Sequence, residues 1–260
     1  MPEPTATTDQ RRLPGLAPVL AGQVRYQLLL LLRSPRAMWA GVLLPVMLLV
    51  LTGNQHGRVA ASALAARAVL GVTLIAYLTH ASGLVAAREA GVLKRWRATP
   101  LPPWCYFAGR TCATALMALG SGAITVLVGV LLYHASLGVG AGIDLVAALL
   151  LASLAWASVG TAVTALIPTA EAAQPLLSVS YFPVMLLSGA FGAIPGAPGW
   201  LTDLLGYLPG KPTVDAATAA LRAGPTLSLP GHDLAILAAW AVAGLLASLY
   251  LFRWEPRATR

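Results

Sequence analysis

The charged residues of this 260-residue chain leave six long gaps. Residues 37–57, 68–87, 111–143, 145–170, 172–202 and 234–252 contain no Asp, Glu, Lys or Arg. A bilayer core about 30 Å thick is crossed by roughly 20 mostly apolar residues in helical form, a geometry that satisfies its own backbone polar groups away from water. Hydrophobic residues make up 58% of the chain and charged ones 10%, and the mean hydropathy is +0.76. These values exclude a soluble globule of this size. The pattern predicts an all-α integral membrane fold with six transmembrane helices at about 37–53, 68–87, 108–134, 145–167, 173–193 and 234–252. The first run loses its tail at Gly53-Asn54-Gln55-His56-Gly57. The third is expected to leave the bilayer near Gly138-Val-Gly-Ala-Gly142, where closely spaced glycines weaken a helix.

An even number of spans puts both termini on one side, and the positive residues choose the side. Arg11, Arg12, Arg25, Arg33, Arg36, Arg88, Lys94, Arg95, Arg97, Arg110, Arg253, Arg257 and Arg260 fall on one face of the predicted topology. Only Arg58, Arg67, Lys211 and Arg222 fall on the other. Positive charge is retained in the cytoplasm, so both termini are expected there. The net charge of +8 is spread between spans rather than gathered on one soluble face, which speaks against nucleic acid as a partner. Residues 1–36 lack the pattern of a cleavable signal peptide, so the first span is expected to be both signal and anchor. Arg outnumbers Lys 15 to 2, a hint of a GC-rich bacterial source.

Residues 1–15 read as a disordered cytoplasmic tail, 16–255 as one transmembrane domain and 256–260 as a second cytoplasmic tail. Within 16–33, Leu16, Val19, Leu20, Val24 and Leu28 recur at helical spacing, with Gln23, Arg25, Gln27 and Arg33 largely apart from them. That periodicity predicts an amphipathic helix lying in the membrane interface, ended by Ser34-Pro35. Segment 195–230 is too broken by prolines to span and too apolar to be a solvated linker. It reads as an outer re-entrant region of short helices between helices five and six, one of them over about 213–223 with Pro212 at its start. Cys105 and Cys112 read as small apolar residues, with no His or second Cys pair at metal-ligand spacing; no metal site is predicted.

Between the second and third runs lies Arg88-Glu-Ala-Gly-Val-Leu-Lys-Arg-Trp-Arg-Ala-Thr-Pro-Leu-Pro-Pro-Trp-Cys-Tyr-Phe-Ala-Gly-Arg110, holding five of the seventeen Lys and Arg residues. Only Gly91 interrupts 89–98, so this stretch is predicted to be a short helix along the membrane surface. Pro100, Pro102 and Pro103 then force an extended turn. Leu93 and Trp96 can face the lipid interface or the next span, while Lys94, Arg95 and Arg97 point to the cytosol or to anionic headgroups.

The order and spacing Arg88-Glu89-x-Gly91-x-Leu93-Lys94-Arg95-x-Arg97-Ala98-Thr99-Pro100-Leu101-Pro102 resembles the cytoplasmic motif of type-2 ATP-binding cassette (ABC) permeases. The likeness is strongest to bacterial multidrug and antibiotic exporters similar to the daunorubicin-resistance membrane subunit. Pro183-Val-Met-Leu-Leu-Ser188-Gly189-Ala190-Phe191, Ile194-Pro195, Trp200-Leu201, Leu208-Pro209 and Asp215 to Arg222 resemble that family's fifth span and outer region. Together the resemblance covers roughly 20–255. Gly192-Ala193 and Gly210-Lys211-Pro212 depart from the family pattern on the outer side, where substrate class is at stake. The resemblance implies that Glu89, Gly91, Leu93, Lys94, Arg95, Trp96, Arg97, Pro100, Leu101 and Pro102 form a coupling helix and turn seated in a groove of an ATPase subunit. Arg95 and Arg97 would meet carboxylates there.

A phosphate-cradling Gly-x-x-x-x-Gly-Lys-[Ser/Thr] loop is missing; Gly210-Lys211 is followed by Pro212. This chain is therefore expected to bind no cofactor, with ATP and Mg held by a partner ATPase. Six spans enclose little pathway, so a second permease subunit, identical or paralogous, is also expected. Ala157, Gly160 and Ala162 are small enough for close helix approach, either within or between subunits. Tyr77 and His80 in the second span, and Ser188 and Gly189 in the fifth, are candidate pathway or gating residues, with a plain structural hydrogen bond as the other reading of His80. Glu171 reads as a solvated turn residue; Asp144, Asp203, Asp215 and Asp233 read as caps or surface groups on the outer side. Two rival classes stay open: a secondary transporter or channel, for which the spans offer no relay of acidic or basic groups, and an intramembrane protease using Ser188 with His80. The apolar composition favours an amphipathic or lipid-like cargo.

Overall fold

The computed structural model describes residues 15–52, 58–99, 102–133, 138–191, 198–223 and 230–251, and the described residues are all-helical, without strands. The expected tails at 1–14 and 256–260, the glycine-rich stretch at 53–57, and Pro100 and Leu101 lie outside them. In chain order the helices are α1 (Leu16–Leu32), α2 (Pro35–Leu51), α3 (58–89), α4 (Val92–Arg97), α5 (Pro103–Tyr133), α6 (Val139–Val163), α7 (Ala170–Leu187), α8 (Gly199–Tyr207), α9 (Gly210–Arg222) and α10 (Gly231–Leu251). Among the described residues four stretches are long and apolar enough to cross a membrane: Ala61–Glu89, Trp104–Tyr133, Val139–Val163 and Gly231–Tyr250. The pair α1 and α2, bent by 76° at Ser34-Pro35, gives up to a fifth. This is a multi-pass membrane protein.

The helix α7 does not reach that standard alone. It carries Glu171, Gln174, Ser178 and Ser180, has Pro175 and Pro183 inside it, and stops where Gly189 takes the left-handed conformation at φ +84°. The expected span over 173–193 therefore begins and ends earlier, and 192–193 lie outside the described residues. The second span is longer than the charge-free run 68–87. Its helix runs unbroken from Arg58 to Glu89 because Arg67 is absorbed inside it, donating from Nη1 to the Ala190 carbonyl at 2.8 Å. At the third and fourth spans, Gly138 is an extended N-cap and α6 starts at Val139, so Gly140 and Gly142 are helical rather than in a turn.

The core centres on α3. In the span Ala61–Glu89, 83% of the most apolar stretch is buried inside the chain, against 17% for Gly231–Tyr250, which presents Val242, Leu245, Leu246 and Leu249 outward. Small residues make that density possible: Ala65, Ala68, Ala76 and Ala81 are fully buried along α3. A π-helical turn at Leu74–Thr79 inserts into α3, a distortion often found at functional positions. Near the middle of the bundle the backbones of α2 and α3 come together at Gly41 and Gly71, where a Cβ on Gly71 would strike the Gly41 carbonyl at 2.7 Å. The Ser121 hydroxyl of α5 donates to that same carbonyl.

Two sequence expectations about faces are corrected. In α1 it is Gln23 and Gln27 that are buried, against α5, while Leu16, Tyr26, Leu29, Leu30 and Leu32 are exposed. The helix turns its polar stripe into the protein and its leucines outward, because an amide facing hydrocarbon has no hydrogen-bond partner. Asp144, expected at the surface, is fully buried in α6. Between α7 and α10 the described residues 198–223 form two short helices: α8, then α9, which begins at Gly210 with Pro209 as N-cap, so Pro212 lies within its first turn rather than at its start. α9 packs its face of Val214, Ala216, Ala217 and Ala220 on α3 and α6, and Trp156 Nε1 donates to Thr213 Oγ1 at 3.3 Å.

Candidate functional site

The predicted helix over 89–98 is split. Glu89 is the last residue of α3; Ala90 N–H donates to the Ala86 carbonyl and Gly91 N–H to the Arg88 carbonyl. Gly91 adopts φ +70°, a left-handed conformation that costs glycine nothing and reverses the chain after a helix. α4 then runs from Val92 to Arg97, and the Thr99 hydroxyl closes on the Trp96 carbonyl at 2.6 Å. Leu93 is fully buried in a small cluster with Leu84 and Tyr106, flanked by Trp96 and Phe107, with the Trp96 and Tyr106 rings 5.7 Å apart. Lys94 and Arg95 are exposed, and Val92 is 40% exposed. One side of α4 is thus anchored to α3 and α5 while the other offers two cations beside an aliphatic side chain. Pro102 is described and precedes α5; Pro100 and Leu101 lie outside the described residues.

Glu89 is not a free member of this surface. Its Oε2 accepts the Ala170 N–H at 2.9 Å, at the start of α7. The neighbouring Arg88, 4% exposed, donates from Nη1 to the Thr164 carbonyl at 3.1 Å and from Nη2 to the Ile167 carbonyl at 2.5 Å.

One helical stretch deeper, a polar network crosses the bundle. His80 Nδ1 lies 2.9 Å from Thr114 Oγ1 on α5, and its Nε2 lies 3.1 Å from Thr161 Oγ1 on α6. The His80 carbonyl accepts from Arg110 Nη2 at 3.1 Å, and Arg110 Nη1 donates to Gln27 Oε1 at 3.3 Å. All five side chains are buried. Gly83 is what lets the guanidinium in, since a Cβ there would collide with Arg110 Nη2. The network joins α1, α3, α5 and α6 just inside the end of the bundle that carries α4.

The sequence profile of ABC-2 type transporters matches residues 23–221, from the buried stripe of α1 to the last turn of α9. The chain belongs to the ABC-2 type transporter family. Among curated proteins, none matches it. An ABC-2 membrane domain is the transport subunit, the membrane component, of an ABC transporter.

Placed on this ABC-2 domain, the other candidate residues fall into separate surroundings. Tyr77 sits on the π-helical turn of α3, its ring 5.5 Å from Trp156 and 5.9 Å from Tyr181, and its hydroxyl 2.7 Å from Ser180 Oγ. Tyr181 in turn meets Thr73 Oγ1 at 2.7 Å. Ser188 donates to the Met185 carbonyl at 2.7 Å, and Gly189 turns the chain out of α7. Ser188 and His80 are not brought together: the serine hydroxyl bonds to the Met185 carbonyl of its own helix and the His80 ring to threonines of α5 and α6, which leaves the intramembrane protease reading without a nucleophile and base. Gly160 and Ala157 pack within the subunit, Gly160 directly under the Tyr77 ring and Ala81. Among the described residues no three His, Cys, Asp or Glu side chains gather as metal ligands, and Cys105 and Cys112 are free thiols, the first buried and the second exposed.

Sequence reasoning missed Arg88 as a clamp, Arg110 and Gln27 as a buried pair, and Thr114 and Thr161 as the seats of His80. In the sequence Arg88 and Arg110 count only among the cytoplasmic positive charges, because both border apolar runs. Spacing does carry a weak signal: Gln23 and Gln27 stand i, i+4 on one helical face, the mark of a polar stripe that needs partners.

Proposed function

We propose that this chain is the membrane-spanning permease subunit of an ATP-driven ABC exporter that moves an amphipathic drug, antibiotic or lipid-like compound out of the cytoplasm or inner leaflet. The single observation that carries the reading is α4. Within a chain matching the ABC-2 family, it is a short helix anchored by Leu93 with Val92, Lys94 and Arg95 left exposed. A separate ATPase subunit docks there and supplies the ATP and Mg chemistry. Glu89, Gly91, Leu93, Lys94, Arg95, Trp96, Arg97, Pro100, Leu101 and Pro102 make up the segment that receives its motion. The charge split of the sequence supports a cytoplasmic side for that segment and both termini, and the resemblance to bacterial exporters supports six spans in a bacterial inner membrane.

A second permease subunit, the same chain or a paralogue, completes the pathway. The cargo class follows from the apolar, charge-poor spans, which along α7 leave a shallow, open apolar groove lined by Phe182, Pro183, Leu186, Leu187 and Phe191. Tyr77, His80, Ser188 and Gly189 lie on the helices that bound it or pack behind it and stand as gating candidates. The test is co-purification of an ABC ATPase with the chain from its native membrane, followed by export measured in proteoliposomes. Export that needs ATP, and that stops when the ATPase cannot hydrolyse it, is expected. Export driven by a proton or sodium gradient without ATP overturns the reading.

A further inference from the structure

The segment that receives the ATPase is tied not only to the two helices that bracket it in sequence but also to the next pair. Past the end of α6 at Val163, the carbonyls of its C-cap Thr164 and of Ile167 in the following turn lie outside the helix's own ladder, and both accept from the Arg88 guanidinium. α7 begins at Ala170, and its first N–H, likewise without an intrahelical acceptor, is taken by Glu89. Each charge has the favourable sign for the helix end it meets: a cation at the negative end of α6 and an anion at the positive end of α7. Two adjacent residues therefore grip both sides of one turn. The residues that follow them are Ala90 and the left-handed Gly91, and then α4 itself.

We propose that Arg88 and Glu89 are positioning residues that latch the α6–α7 turn to the base of α4, so that a push on α4 moves α3, α6 and α7 as one body. α4 itself joins α3 and packs against α5, and α3 packs in turn on α6 and α7; the latch adds to that packing a direct hydrogen-bonded link at the base of α4. Through that link a displacement of α4 is passed directly to α7, whose exposed face carries Phe182 and Leu186, and to α6, on which α10 packs. Charge-assisted hydrogen bonds to backbone groups suit this role, since they are short, directional and independent of neighbouring side-chain rotamers. The use of the latch in transport rests on the exporter reading above; its existence does not.

Two measurements on the full chain in lipid nanodiscs test it. The first is amide hydrogen exchange at Ala170, which needs no ATPase. Glu89→Ala is expected to speed that exchange about tenfold, the scale of losing one charge-assisted hydrogen bond, whereas Glu89→Gln, which keeps an acceptor oxygen, stays close to the unmodified chain. The second uses the complex with its ATPase and spin labels at Ala98→Cys, exposed at the end of α4, and Glu171→Cys in a background with Cys105 and Cys112 replaced by Ser. The label distance is expected to stay constant between nucleotide-free and ATP-bound states and to vary between them once Glu89→Ala is added. Export per ATP hydrolysed is expected to fall several-fold in Glu89→Ala and to recover in Glu89→Gln. Unchanged exchange at Ala170 in Glu89→Ala, or a label distance that already changes with nucleotide in the latched protein, overturns the latch. Failure of the unmodified chain to export with any ATPase overturns the exporter reading instead, leaving the exchange result to decide the latch.

Discussion

Arg110 on α5 donates to the backbone carbonyl of His80 on α3 at 3.1 Å while its other terminal nitrogen holds Gln27 of α1 at 3.3 Å. One buried cation thereby joins three helices that are far apart in sequence. The cost of desolvating a guanidinium is offset only while its hydrogen bonds persist. Replacing Arg110 with Met is expected to destabilise the protein by about 1–3 kcal/mol, the range for orphaning a buried polar partner. Gly83→Ala, which drives a methyl into the guanidinium, is expected to act in the same direction. In the Arg110→Met background the Gly83→Ala cost is expected to shrink, since the atom it strikes is gone. Thermal melting in detergent of the two single variants and the double variant checks this; strict additivity would refute the shared contact.

His80 makes its two ring contacts to threonine hydroxyls on different helices. Thr114→Val and Thr161→Val each leave one ring nitrogen without its partner and are expected to cost about 1–3 kcal/mol apiece. Adding both to His80→Leu is expected to cost less than the sum of the three, with a coupling of about 0.5–3 kcal/mol because the groups share one network. The measurement is a thermodynamic cycle on the melting transition. Independent, additive losses would show that the histidine is not seated between these helices.

Gly244 on α10 faces the backbone of α6: an added Cβ would lie 2.7 Å from Val159 N and 2.8 Å from the Ser158 carbonyl carbon. Backbone cannot yield as a side-chain tip can, so Gly244→Ala is expected to prise α10 from α6 and lower the melting temperature by several degrees, the effect of overpacking by about 1–3 kcal/mol. Gly120→Ala on α5 meets nothing within 4 Å. It is expected to be neutral or stabilising, by up to about 1 kcal/mol from helix propensity. Equal effects at the two positions would contradict the packing described.

Gly91 has open space around it, so its role is conformational. Gly91→Ala is expected to cost about 1–2 kcal/mol for a left-handed residue with a side chain, Gly91→Val more, and Gly91→Asn less. The loss falls on the orientation of α4 rather than on membrane insertion. ATPase co-purification and export are expected to weaken in the order Val, Ala, Asn while the amount of inserted chain stays level on membrane fractionation. A fall in insertion that tracks the same order would assign the glycine to folding instead.

Much of the fold was legible because apolar runs and breakers act locally. The charge-free stretches foretold most of the long helices, and Ser34-Pro35 foretold the bend after α1, since the ring of proline excludes helical geometry from the residue before it. Gly91 was visible as the one interruption in its stretch, though the reading carried the helix through it. The exposed cations of α4 were legible for the same local reason. The inward turn of Gln23 and Gln27, the burial of Arg67 and Asp144, and the clamp at Arg88 were not, because each depends on partners tens of residues away.

Hydropathy by itself determined that this chain lives in a bilayer, roughly where it crosses, and which segment stands out as a basic, proline-bounded insert. Only the tertiary structure decided what the charged and polar residues at the ends of those crossings do. The physical reason is that a polar group in or beside hydrocarbon must find a hydrogen-bond partner. The identity of that partner is set by which helices pack together: Ala170 for Glu89, and Gln27 and the His80 carbonyl for Arg110.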